Sequence, residues 1–198
     1  MAILTLNDLR LGLRPRYLTE QRSSESLDEY AVRKLVEYST NFYKKSSYDI
    51  FLSHSFRDAP AILMLTFLLE KLGVSVYVDW IHDPLLDRSK VTSDTARIIR
   101  ERMSRCKSLL YAISSNSVQS SWVQWELGLG DGQKNGKVAI VPVYQNQEFS
   151  PSFFKQEYLG LYPHIEWIDG LFFVIGKQRS SLIPWLTKTN PLQDLVYG

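Results

Sequence analysis

The sequence predicts an α/β fold: an open sheet of five parallel strands with helices on both faces, flanked by an N-terminal helical arm and a short C-terminal helix. Three observations predict it. From Tyr48 onward, short apolar β-prone runs alternate with helical patterns, the signature of repeated βαβ units. Parallel strands need crossovers, and crossovers are right-handed, so successive strands assemble into one sheet covered on both faces. The composition is that of a foldable globule, with 44% hydrophobic and 13% aromatic residues among 198. A chain of that length buries roughly two thirds of its unfolded surface.

Each element has its own local reason. Strands are expected at Tyr48–Ser53, 74–79, 108–114, Val138–Tyr144 and in the 165–175 region. The first crossover helix has Asp58 at its N-cap and Pro60 near its first position, with Ala61, Leu65, Leu68 and Leu72 on one face and Gly73 as its stop. The next is capped by Ser93 and carries Ala96, Ile99, Met103 and Cys106 on one stripe. A third opens at Ser120-Ser121, carries Trp122 to Glu126, and ends at Gly128, Gly130 and Gly132. In the arm, Leu27, Tyr30, Ala31, Lys34, Leu35, Tyr38 and Phe42 recur near a 3.6 period, and Ser26 with Glu29 has capping-box spacing. A helix is therefore expected over 27–44, with residues 1–22 irregular. Leu182, Ile183, Trp185 and Leu186 predict a short helix packed on the sheet or on the arm, limited by Pro184 and Pro191.

Charge divides the chain. Residues 1–46 hold eight Lys+Arg and six Asp+Glu, and the remainder holds fifteen of each. The organisation read from this is an arm (1–46), a domain (47–176) and a tail (177–198). A formal charge of +2 argues against nucleic-acid binding through bulk charge. The longest apolar stretch, residues 59–69, is too short for a membrane span, and residues 1–10 lack a signal-peptide core. A cytoplasmic protein is expected. The three histidines have no cysteine or histidine clustered near them, so no metal site is expected, and the lone Cys106 is read as a core filler.

Ligands on open parallel sheets bind beyond the carboxyl ends of the strands. That rule selects the loops Ser53-His54-Ser55-Phe56-Arg57, Trp80-Ile81-His82-Asp83 and Ser115-Asn116-Ser117. Trp122 and Glu126 are four residues apart, hence on one helix face. By spacing alone Glu126 is a catalytic carboxylate beside an aromatic or a surface glutamate beside a core tryptophan. Gly128-x-Gly130-x-Gly132 follows a helix and has Gln133 next, the wrong order for a dinucleotide loop. Arg97, Arg100, Arg102, Arg105 and Lys107 form a basic face, solvated through pairs such as Arg97–Glu101 or available to a partner. Asp49, Ser53 and His54 cannot assemble a hydrolase triad locally, because neighbours on an extended segment point to opposite sides.

The run Tyr48-Asp49-Ile50-Phe51-Leu52-Ser53-His54-Ser55, the Val74 to Asp79 segment after Gly73 and the Trp122-x-x-x-Glu126 helix together resemble a TIR (Toll/interleukin-1 receptor-like) domain, in the family's order and spacing. The resemblance covers roughly residues 47–176 and is to standalone bacterial members of the kind found in Thoeris antiphage defence. It implies the flavodoxin-like form of the sheet described above and an NAD-consuming activity with NAD as substrate and no cofactor. It implies that Glu126 is the catalytic glutamate and that His54 and Ser55 contact substrate. It matches Asp79 to the acidic end of the second strand, offers Trp80 as a stacking surface, and places Trp122 behind the glutamate or in the pocket wall. Self-association through TIR contacts, and a separate effector reached by a nucleotide signal, come with the same resemblance.

The loop after Asp79 departs from the family's bacterial pattern in lacking a glycine; Arg88 and Lys90 there are candidates for a diphosphate contact or for solvated charges. Three functions follow: an NAD glycohydrolase or ADP-ribosyl cyclase releasing nicotinamide with ADP-ribose or a cyclic or conjugated signal; a non-catalytic TIR–TIR interaction module; and a nucleoside deoxyribosyltransferase-like enzyme.

Overall fold

The computed structural model describes residues 4–5, 24, 29, 33, 45–83, 92–144 and 157–188. It confirms the α/β class with a larger, mixed sheet. Strands β1 (Leu4–Thr5), β2 (Tyr48–Ser53), β3 (Val76–Tyr77), β4 (Cys106–Ile113), β5 (Val138–Tyr144), β6 (His164–Ile168), β7 (Leu171–Ile175) and β8 (Arg179–Ser181) lie in the order β3-β2-β4-β5-β6-β7-β8, with β1 paired to β5. Pairing is parallel from β3 through β6 and antiparallel from β6 to β8.

The expected fifth strand is thus a hairpin. Asp169 and Gly170, both at positive φ, make the two-residue loop that folds β7 back on β6, a geometry that requires left-handed backbone at both positions. Two further boundaries move. β3 is only Val76–Tyr77, because Asp79 starts a one-turn helix, α2 (Asp79–His82). Leu4 and Thr5, expected to be irregular, pair in parallel with Val143 and Tyr144. Glu29 and Arg33 are helical; the rest of the helix expected over 27–44 lies outside the described residues.

The helices cover both faces. α1 (Ala59–Lys71) and α5 (Leu182–Thr187) bury Ile62, Leu65, Leu69 and Trp185 against Ile50, Leu52, Leu110, Ala112 and Val141. α3 (Ser93–Ser104) and α4 (Ser121–Gln133) bury Ile99, Met103, Val123 and Leu127 against Phe51, Leu109, Tyr111, Ile113 and Ile140. The alternation of β2 and β4 residues between the two cores is the period-2 pleat of a central strand. The tail helix therefore docks on the sheet, one of its two expected positions.

Helix ends show where side chains were diverted. α1 stops as expected: Gly73 has φ +81, its N–H bonds Glu70 O, and Val74 N–H bonds Leu69 O, the paired bonds of a Schellman end. At its start Asp58 holds the N-cap position without a side-chain cap bond. α3 is capped by Thr92 rather than Ser93, whose neighbour's Oγ1 accepts from Thr95 N–H at 3.1 Å. Cys106 is not on that helix but opens β4; burial pushes its thiol up to about 12. Lys134 closes this corner, its Nζ donating to the Met103 and Cys106 carbonyls.

α4 runs straight through Gly128, Gly130 and Gly132, which were expected to end it. A Cβ at Gly130 would lie 2.6 Å from Leu109 Cδ1, so this glycine lets the helix lie directly on β4.

Candidate active site

The site grows from the last residue of β2. Ile50 and Leu52 face the α1 core and Phe51 the α4 core, so the pleat turns Ser53 toward α4 and His54 toward the other side. On α4 the inward positions are Val123, Glu126, Leu127 and Gly130, the i, i+3, i+4, i+7 face of a helix. Glu126 thus occupies a core-facing position and is 0% exposed. A carboxylate there is unfavourable without hydrogen-bonding partners. Ser53 Oγ, likewise fully buried, donates to Glu126 Oε2 at 2.6 Å. The sequence left a surface glutamate as an alternative; the structure buries it at the carboxyl edge of the parallel strands.

On the opposite side of β2, His54 organises a second group. Its Nδ1–H donates to Leu52 O at 2.8 Å, which leaves Nε2 to accept the indole N–H of Trp80 at 2.7 Å. That pair of bonds defines the neutral Nδ1–H tautomer. Asp79 Oδ1 stands 3.5 Å from the same Nε2 and accepts the Trp80 backbone N–H at 2.8 Å. Trp80 presents its ring to Phe56 at 5.9 Å and 90°, and Phe56 is 70% exposed. His54, Asp79 and Trp80 are therefore brought together on the side of β2 away from Glu126, with Phe56 as an exposed aromatic beside them.

Ser55 is used locally: its Oγ accepts the Arg57 N–H at 3.4 Å and caps the turn Phe56–Asp58. The buried Asp58 carboxylate, freed from capping α1, accepts from Ser114 Oγ and from Asn116 Nδ2 at 2.6 Å. Ser114 Oγ in turn accepts the N–H groups of Asn116 and Ser117. This network ties the loop after β2 to the loop after β4, just ahead of α4. Ser117 Oγ lies 3.4 Å from the Tyr111 hydroxyl, which burial pushes up to about 12.

Trp122 is half-buried against the α4 core, edge-to-face with Trp125 at 5.4 Å. Arg88 and Lys90 lie outside the described residues. Asp49 sits near the opposite end of β2, bonded to Ser75 and Lys107, so the triad rejected on spacing is also separated along the strand. The basic face is ion-paired: Arg102 binds Asp83 through two nitrogens, Arg97 and Arg105 bind Glu101, and Arg100 lies over the Trp125 ring. Among the described residues no group of three His, Cys, Asp or Glu could hold a metal ion, and no helix is long and apolar enough to cross a membrane.

Fold and site together define an α/β domain with its buried carboxylate at the carboxyl edge of a parallel sheet, where such folds bind ligands. The chain belongs to the TIR domain family, whose model matches residues 50–181. It is 51% identical over 166 residues to Probable 3' cyclic ADP-D-ribose synthase ThsB' of Bacillus cereus (strain MSX-D12), covering 83% of each chain. It is 32% identical over 117 residues to a candidate cyclic ADP-D-ribose synthase, TIR2, of Cytobacillus dafuensis, covering 59% of this chain and 30% of that one. Among solved structures, the TIR domain of the Toll-related receptor TRR-2 from Hydra magnipapillata aligns at TM-score 0.40 and 20% identity, covering 56% of this chain and 80% of that one.

Proposed function

We propose that this chain is an NAD-consuming TIR enzyme that breaks the nicotinamide–ribose bond and converts the remainder into a cyclic ADP-ribose. The observation that carries the reading is Glu126: a fully buried carboxylate on the core face of α4, held by Ser53 at the carboxyl edge of the sheet. The 51% identical relative is named for the product class, a cyclic ADP-D-ribose, and NAD is the substrate that supplies it in this reading.

The chemistry suits one carboxylate. As the bond from C1′ to the pyridinium nitrogen breaks, nicotinamide leaves neutral with the bonding electron pair, and positive charge grows on the ribose. A fixed anion beside that carbon stabilises the oxocarbenium-like transition state. No proton need be given to the leaving group. A ribose hydroxyl of the same molecule then adds to C1′ and loses its proton, closing the ring; water adding instead gives ADP-ribose. In this reading the Phe56–Trp80 edge supplies an aromatic surface for a flat ring, and His54, Ser55 and Asp79 shape the first two loops around the substrate. Trp122 supports the helix that carries Glu126. NAD is substrate, not cofactor.

Passage of the signal to a separate effector in antiphage defence, self-association through TIR contacts and a cytoplasmic location complete the proposal. The test is incubation of the purified chain with NAD, alone and with lysate from phage-infected cells, following nicotinamide release and the mass and retention of the ADP-ribose product. Turnover is expected for the wild type and lost in Glu126→Ala. Wild-type turnover by Glu126→Ala removes Glu126 from the chemistry; no NAD binding or turnover in any state assigns the chain to TIR–TIR association instead.

A further inference from the structure

We propose that Ser53 is the positioning residue of this reaction, setting the carboxylate of Glu126 through one buried hydrogen bond; the inference rests on the reading of Glu126 above. β2 is otherwise a core strand: Tyr48, Ile50, Phe51 and Leu52 are buried apolar residues, and Ser53, which ends the strand, is equally withdrawn from water. Packing alone gives no reason for a hydroxyl there, since a buried hydroxyl is unfavourable unless bonded. Its bond is to the one carboxylate on the inward face of α4.

The geometry is that of an orienting contact. At 2.6 Å the Oγ–Oε2 separation falls in the short range of a hydroxyl bonded to a carboxylate. The terminal torsion of a glutamate is broad and soft, and a strong bond to one of its oxygens restricts the plane of the group. Ser53 is well suited to set it, because β2 is paired to β4 at Ser53 itself, opposite Tyr111, and to β3 on its other edge. A side chain on a doubly paired strand is held more closely than one on a loop. The same alternation that turns Ser53 to Glu126 turns His54 to Trp80, so one dipeptide sets both the anion and the aromatic edge.

A residue that aims the anion at C1′ acts most where positive charge moves from the pyridinium onto the ribose, in the transition state, and less on binding of the ground state. Ser53→Ala is therefore expected to lower kcat for nicotinamide release by about tenfold or more while the KM for NAD stays within about twofold. Ser53→Thr, which keeps the hydroxyl, restores most of kcat, and Glu126→Gln has no turnover. Thermal melting of each variant is measured beside the kinetics. Should Ser53→Ala not fold, Ser53→Cys, of similar shape with a weaker donor, takes its place with the same expectation.

Wild-type kcat in Ser53→Ala beside an inactive Glu126→Gln overturns the positioning role and leaves Glu126 in place. A raised KM with unchanged kcat, or a loss that Ser53→Thr does not restore, overturns it too and marks Ser53 as packing. Wild-type turnover by Glu126→Gln, or no nicotinamide release by the wild type alone and with infected-cell lysate, overturns the reading of the site and the role of Ser53 with it.

Discussion

The indole N–H of Trp80 is bonded to Nε2 of His54 at 2.7 Å, and the histidine can accept it only because its own Nδ1–H is engaged by Leu52 O at 2.8 Å. The loop after β3 is thereby latched to the loop after β2 through two rings. A single hydrogen bond between neutral groups contributes about 1 kcal/mol, and residues in direct contact couple. The double-mutant cycle of His54→Phe and Trp80→Phe, read by urea unfolding, is expected to give a coupling energy of about 1 kcal/mol. Additive effects would show that the latch carries no stability.

Asp58 links the same loop to α4. It receives Ser114 Oγ and Asn116 Nδ2 in a buried position, and removing it strands both donors. Asp58→Ala is expected to cost about 2–3 kcal/mol, within the range for hydrogen bonds to a charged group plus stranded partners. Asp58→Asn keeps an acceptor and should lose less. Denaturant midpoints at constant slope check both. Asp58→Ala with an unchanged midpoint would mean that the loops hold together without it.

What could be read beforehand follows from how local each signal is. Tyr48–Ser53 and Val138–Tyr144 were expected with their observed ends, because each is a short β-prone run with an apolar centre, Ile50 to Leu52 in one and Val138 to Val143 in the other, set off by polar residues. The hairpin of β6 and β7 was missed although Asp169-Gly170 announces it; the parallel pattern of the earlier strands overrode a local turn signal. Glycines 128, 130 and 132 read as a helix end, but α4 runs through all three, and the one at 130 is where the helix lies flat on β4. The candidate glutamate was legible from its place in a motif. Its partner was not, since Ser53 lies 73 residues away and only the register of the sheet brings the two together. Asp58 was read as a cap for the same reason: nothing local shows that Ser114 and Asn116 compete for its carboxylate.

Glu70, near the end of α1, gives a pH dependence away from the site. Burial pushes its carboxyl up to about 7 from 4.5, against a single opposing hydrogen bond from the Val76 backbone. A raised acid pKa means the folded chain binds more protons than the unfolded chain between those values, so stability falls as pH rises through about 5 to 7 and the whole penalty is present above. Glu70→Gln removes the titration. Its unfolding midpoint should be flatter than that of the wild type over this interval and higher at pH 8. Parallel curves for the two proteins would assign the slope to other groups.

Gly130 separates a steric requirement from a propensity. Alanine is the better helix former by roughly 1 kcal/mol per residue, so three glycines inside α4 look replaceable. They are not equivalent. A Cβ at Gly128 or Gly132 meets nothing within 4 Å, whereas at Gly130 it would lie 2.6 Å from Leu109 Cδ1 and 3.2 Å from Leu109 Cβ. Leu109 is fully buried in the middle of β4 and cannot step aside. Gly128→Ala and Gly132→Ala are expected to be neutral or stabilising by up to about 1 kcal/mol. Gly130→Ala should destabilise by about 1–3 kcal/mol, as overpacking does. It should also lower turnover with NAD out of proportion to its effect on melting, because lifting α4 from β4 moves Glu126, one turn earlier on the same face, away from Ser53. The paired Gly130→Ala/Leu109→Val variant, which trims the colliding methyl, should recover part of both losses. Thermal melting and nicotinamide release on the four variants check this, and a Gly130→Ala chain as stable and active as Gly128→Ala would show that the helix has room to lie further from the sheet.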